Sequence, residues 1–126
     1  MTQLLLIAFG SAIGGISRYL LSTSVYSLIG KDFPYGTLAV NMIGSLLAGF
    51  ISIILIERVD GVLAAPLRAL LIIGFLGGFT TFSSFSIETL NLFESGEILR
   101  ATLNVVISVV SCLILAGVGA LLARQL

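Results

Sequence analysis

The chain has 126 residues, of which 58% are hydrophobic and only 10% charged, with zero net charge and a mean hydropathy of +1.21. A soluble domain of this size cannot bury so much apolar surface, so the bilayer is the solvent this sequence is built for. Zero net charge without a basic run gives nucleic acid nothing to bind, and a chain with no histidine lacks the commonest metal ligand and general base.

The first ten residues carry no basic region and no cleavage site of the signal-peptide kind, so the first apolar segment is expected to stay as a transmembrane helix. Four segments, at about 4–29, 36–56, 65–92 and 99–122, reach the roughly 20 residues that a 30 Å hydrocarbon core requires. Polar stretches at 30–34, 57–61 and 94–97 separate them. The expected fold is an all-α membrane protein, with residues 1–126 forming a single four-helix transmembrane domain. Pro34 and Pro66 fall near helix starts, where a missing N–H costs little.

In the first span, Gly10, Ser11, Ala12, Gly14 and Gly15 make a strip of small residues, the usual surface for close helix packing. Arg18 follows, well inside the span. An intramembrane arginine either snorkels to the interface or lines a water-filled vestibule that attracts anions. The second span places Thr37, Asn41 and Ser45 at four-residue intervals on one face. Asn41 there is either interhelical glue or an amide donor for something that moves through.

The third span departs most from a plain membrane helix. Residues 74–85, GFLGGFTTFSSF, hold three glycines, four hydroxyl side chains and four phenylalanines. Gly77-Gly78 followed by Thr80-Thr81 is a poor helix interior, because glycine adds backbone freedom and hydroxyls compete for backbone hydrogen bonds. The third helix is therefore expected to break near its middle, which membranes tolerate only inside protein or beside a polar cavity. Phe82, Phe85 and Glu88 then share a face at three-residue spacing. Phenylalanine pairs ordinarily just pack, but ring edges carry partial positive charge and can meet an anion without a fixed cation. The hydroxyls of Thr81, Ser83, Ser84 and, in the fourth span, Ser108 add neutral donors that suit a small anion which must leave again. No nucleophile–base pair or coupled carboxylates stand anywhere, so the chain is not expected to be an enzyme.

The fourth span adds Gly117 and Gly119 as small packing residues and the lone Cys112, which excludes an intrachain disulfide. Basic residues divide almost evenly between the two ends of the spans. Arg58, Arg68 and Arg124 lie on one side and Lys31 and Arg100 on the other, with Arg18 nearer the second. Such balance gives the positive-inside rule nothing to act on; it reflects either a shortage of charges or copies inserted both ways and paired antiparallel.

With these residues in place, the chain resembles the Fluc (CrcB) fluoride channels over almost its whole length. The resemblance rests on Gly14-Gly15-Ile16-Ser17-Arg18-Tyr19, on GTLAVNMIGS from Gly36 to Ser45, and on residues 74–85 running on to Glu88. It implies an antiparallel, dual-topology homodimer in the bacterial plasma membrane with two pores, through which fluoride that entered as HF leaves passively. In that scheme Phe82 and Phe85 are the pore-lining rings and Asn41 hydrogen-bonds the ion. Thr37, Ser83, Ser84, Ser108 and Glu88 stand along the path, and Arg18 lines a vestibule. The backbone carbonyls of Gly77 and Thr80, two from each subunit, hold a structural sodium ion (Na+) at the dimer interface.

The resemblance also implies a pore-facing tyrosine four residues before Ser108, where this chain has Asn104, and a hydroxyl four residues after it, where Cys112 stands beside Ser111. The main competing class is the small multidrug-resistance-type exporter, which is also short and four-spanned. That class exchanges protons for cationic drugs through an acid in its first span, and here the first span has Arg18.

Overall fold

The structure is a computed structural model that describes residues 1–59 and 61–126. Asp60, in the second polar stretch, lies outside the described residues. Four helical segments are long and apolar enough to cross a membrane, and no strand occurs among the described residues.

Helix α1 runs Thr2–Ile29 and α2 runs Tyr35–Glu57. A short turn at Gly61–Leu63 leads into α3, residues 64–79. This helix is α-wound at Ala64–Leu67, π-wound at Arg68–Leu76, and α-wound again at Gly77–Phe79. Thr80 and Thr81 are extended, α4 resumes at Phe82–Glu94, and α5 is Ile98–Arg124. Gly30 and Gly96 close the two connections at one end with φ of 107° and 78°, values that side chains with a Cβ rarely adopt.

Two close seams organise the packing: α1 lies along α3, and α2 lies along α5. A Cβ at Gly10 or Gly14 would overlap the carbonyls of Leu70 or Phe75, and a Cβ at Gly78 would press on Ser11. On the other seam, Gly49 meets the Ala116 carbonyl and Gly119 meets the Leu46 carbonyl with no space for a methyl group. In lipid, burying apolar side chains between helices gains little over leaving them in the tails, so this backbone proximity and its dispersion contacts hold the helices together. The deeply buried apolar set is accordingly small: Val40, Ala69, Leu76, Phe79, Ala101 and Ala123.

Hydroxyls along the spans are mostly satisfied locally. Ser24, Ser86, Thr89, Thr102 and Ser111 each donate to the carbonyl four residues earlier. Such back-bonding lets a hydroxyl sit at membrane depth without an interhelical partner. It makes the exceptions informative: Thr37 donates its hydroxyl across to Glu88, and Asn41 spends its amide on the Thr81 backbone.

The seams carry a direct prediction. Gly119→Ala forces the α2–α5 backbones apart and is expected to cost about 1–3 kcal/mol, the usual range for overpacking. Gly117→Ala, which meets nothing within 4 Å, is expected to be neutral. Thermal loss of the monodisperse peak in detergent separates the two, and equal melting of both variants would contradict the seam.

Candidate functional site

The geometry of the third span turns on who takes each backbone donor. Gly77 is helical, with φ −63° and ψ −36°, and the extended residues are Thr80 (ψ 157°) and Thr81 (φ −150°, ψ 113°). Gly78 permits contact with Ser11, so it serves packing, and the two threonines carry the change of direction. Thr80 finishes α3 by donating both its N–H (2.9 Å) and its hydroxyl (2.8 Å) to the Leu76 carbonyl. Thr81 starts α4, its hydroxyl oxygen accepting the Ser84 N–H at 3.2 Å as an N-cap.

Asn41 reaches across from α2 and pairs with the Thr81 backbone on both sides. Its Oδ1 accepts the Thr81 N–H at 2.8 Å and its Nδ2 donates to the Thr81 carbonyl at 3.0 Å. Because one partner is a donor and the other an acceptor, only one orientation of the amide satisfies both. One hydrogen of Nδ2 remains for another acceptor.

These two captures have a common consequence. In a continuous helix the Thr81 N–H would bond the Gly77 carbonyl and the Ser84 N–H would bond the Thr80 carbonyl. Asn41 takes the first donor and the Thr81 hydroxyl takes the second. The carbonyls of Gly77 and Thr80 are thereby released from the helix ladder. Arg18 Nη1 stands 3.5 Å from the Thr80 carbonyl, a long hydrogen bond from α1.

An open groove of about 460 Å³ runs beside the extended pair, walled by α2, α3, α4 and α5. It gathers Asn41, Gly77, Thr80, Phe82, Phe85 and Ser108, together with Thr81 and Cys112, and no charged side chain lines it. The rings of Phe82 and Phe85 lie 5.4 Å apart at 44°, tilted so that their edges are not stacked away. Phe82 is 77% exposed, so its ring stands open at the side of the groove.

Other residues singled out in the sequence lie elsewhere. Ser83 and Ser84 cluster on the Thr81 hydroxyl, at 3.3 and 3.0 Å, and do not line the groove. Thr37 and Glu88 meet one another at 2.9 Å one helical turn farther along, where Tyr26 of α1 joins them. Ser108 lines the groove but donates to Asn104 Oδ1 at 3.3 Å, and Asn104, only 2% exposed, donates to Thr89 at 2.8 Å. Asn104 thus ties α5 to α4 and presents no group to the groove.

Sequence reading passed over Tyr26. Its partners Thr37 and Glu88 are 11 and 62 residues away, so no local spacing announces the cluster. Gly36 does leave a trace: a Cβ there would overlap the Tyr26 ring.

Comparison with known proteins adds a second line of evidence. The family model described as CrcB-like protein, Camphor Resistance (CrcB), matches residues 5–120. The chain is 52% identical over 124 residues to a protein of Methylococcus capsulatus named fluoride-specific ion channel FluC, covering 98% of this chain and 54% of that one. It therefore spans about half the length of that relative. A protein of the same name from Coxiella burnetii is 53% identical over 98% of this chain and 99% of its own. Another, from Geobacter sulfurreducens, is 50% identical over the full length of both.

The Asn41 clamp predicts its own failure. Asn41→Leu keeps bulk but leaves the Thr81 N–H and carbonyl without partners, at about 1–3 kcal/mol for each orphaned group. Amide exchange in the peptide covering 79–85 is expected to accelerate at least about tenfold. Unchanged exchange would show that the extended pair stands without the amide.

Proposed function

The chain belongs to the CrcB-like family, and on that premise we propose that it is a fluoride channel of the bacterial plasma membrane. In this reading residues 1–126 act as one four-helix unit. The observation that carries it is the groove, which offers the spare Asn41 amide hydrogen, the Ser45 hydroxyl and aromatic rings to a small ion and no charged side chain. An anion the size of fluoride surrenders a costly hydration shell only where several donors replace it. A fixed cation in the same place would hold the ion too firmly for it to pass. Asn41 offers its spare Nδ2 hydrogen, and Phe82 and Phe85 line the same groove with rings whose edges carry partial positive charge.

No energy source is needed. HF is uncharged and crosses lipid unaided, then ionises in the cell. A membrane potential that is negative inside drives an anion outward with about 2.3 kcal/mol per 100 mV, roughly a fortyfold concentration ratio. A selective passive path therefore suffices to keep cytoplasmic fluoride low. The competing multidrug-type exporter would need an acid where Arg18 stands and where the groove has no charge at all.

The finer architecture we infer is an antiparallel, dual-topology homodimer in which the third span works as a broken helix at the subunit interface. Support comes from the balanced charges of the loops and from the groove, which opens on one face of the chain beside the exposed Phe82. The released carbonyls of Gly77 and Thr80 fit a hard monovalent cation, since both oxygens are free of the ladder's own donors. Two such carbonyls from each subunit would hold a structural sodium ion and draw the two extended pairs together. Arg18, the vestibule arginine of this reading, reaches inward to within 3.5 Å of the Thr80 oxygen and is the electropositive element beside the path. Thr37, Ser83, Ser84, Ser108 and Glu88 complete the polar surroundings of the path.

Purified protein in liposomes is expected to release fluoride while retaining chloride. Equal chloride flux would refute selectivity by neutral donors. Phe82→Ile or Phe85→Ile keeps apolar bulk and removes the ring edge, and each is expected to reduce fluoride flux by about tenfold or more, the scale set by one lost interaction of 1–2 kcal/mol. Normal throughput in both would assign the rings to packing alone. For topology, a cysteine-reactive tag at the C-terminus should label from both sides of the membrane. Labelling confined to one side would rule out dual insertion.

A further inference from the structure

We propose that Tyr26 is a positioning residue of the fluoride path, its hydroxyl fixing the Glu88 carboxyl at the mouth of the groove; the proposal rests on the channel reading above. Neither the sequence motifs nor the resemblance assigns Tyr26 anything. Tyr26 Oη donates to Glu88 Oε1 at 2.9 Å, and Thr37 Oγ1 donates to the same oxygen at 2.9 Å. The two hydroxyls are themselves 3.4 Å apart. Three residues from α1, α2 and α4 thus converge on one carboxylate oxygen.

The place of this cluster gives it a role. Thr37 is one helical turn before Asn41 on α2, and Glu88 is one turn beyond Phe85 on α4, so the cluster lies one turn from the charge-free groove toward the end of the bundle that carries the loops at 30–34 and 95–97. Beyond it, a separate pocket of about 440 Å³ opens between those loops, lined by Tyr26 and Glu88 together with Lys31, Asp32 and Glu97, the last paired with Arg100. An ion leaving the groove in this direction passes Glu88. A carboxylate there repels an anion, and hydroxyl donors fix where that charge stands relative to the path. Glu88 belongs to neither ion pair among the described residues, so hydroxyl donors are the groups that hold its charge. Its other oxygen, Oε2, is buried with no protein partner, so the Oε1 bonds are what set the orientation of the group.

Two further observations make the contact a built one. Gly36 leaves room for the Tyr26 ring, where any Cβ would strike it. And Asn104, at the position where the resemblance implies a phenol on the fourth span, is turned away to Thr89. Among the described residues, the phenol that reaches Glu88 comes from the first span.

The test is fluoride efflux from liposomes by wild type, Tyr26→Phe, Glu88→Ala and the double variant. Tyr26→Phe keeps the ring that Gly36 accommodates and removes only the donor. It is expected to lower fluoride flux about tenfold, the usual scale for a lost hydrogen bond to a charged group. In the Glu88→Ala background the same change should have no further effect, because its acceptor is gone. Gly36→Ala, which displaces the ring from the other side, should reproduce the loss and show the same dependence on Glu88. Flux by Tyr26→Phe equal to wild type, or losses that multiply in the double variant, would overturn the proposal and leave the channel reading intact. Wild-type liposomes that release no fluoride would end both.

Discussion

At membrane depth a backbone N–H or carbonyl finds no water, and each needs a partner within the protein. The pairing of Asn41 with Thr81 is how this chain meets that demand while departing from a helix in mid-span. One carboxamide stands in for the two backbone groups that a regular ladder would have supplied. The rest of the site depends on this substitution. It keeps Thr80 and Thr81 extended, lets Thr81 cap the next helix, and leaves the Gly77 and Thr80 carbonyls with free lone pairs. It also sets Phe82 and Phe85 at the start of a new helix, where their direction is not dictated by the turn of the old one.

A second theme is the separation of neutral from charged chemistry. The groove is lined without a charged side chain, while Arg18 and Glu88 flank it at different levels and each is anchored. Arg18 leans on the Thr80 carbonyl from α1, and Glu88 is held by two hydroxyls. A fixed charge a few ångströms from an ion in a low-dielectric setting would dominate its energy. Glu88 stands one turn away and Arg18 is tied to a backbone carbonyl, so the groove itself is lined by neutral groups alone.

The sequence made some of this legible and not the rest, for identifiable reasons. Composition and run length mark the four membrane-spanning helices because lipid demands about 20 apolar residues whatever the fold. The crowding of glycines and hydroxyls in 74–85 marks an unusual backbone, since neither residue type favours a helix interior. Spacing does not reveal which of those residues bends: Gly77 and Gly78 stay helical, Gly78 serving the α1 seam and Gly77 facing the groove, and the threonines turn. The shared face of Thr37, Asn41 and Ser45 is visible from their four-residue intervals, yet what Asn41 pairs with is fixed by a contact 40 residues away. Ser83 and Ser84 read as groove donors from proximity to Phe82, but helix rotation carries them to the Thr81 hydroxyl. Tyr26 was invisible because nothing near it in the chain predicts its partners.

The π-wound stretch Arg68–Leu76 has a consequence of a different kind. It spans more than one turn of the membrane interior, and its wider turns hold more residues per revolution than α-winding, with the Gly77 N–H reaching back to the Ile72 carbonyl. That is slack stored in the chain immediately before the extended pair. Tightening to an α-helix takes up a one-residue deletion here for the contacts that follow, at Gly78 and Thr81, at the expense of those that Leu70, Gly74 and Phe75 make with α1. In an ordinary helix the same deletion would rotate everything downstream by about 100°. The third span thus places its widest winding directly before the pair that Asn41 holds, where a change of length is felt by the α1 seam before it reaches the site.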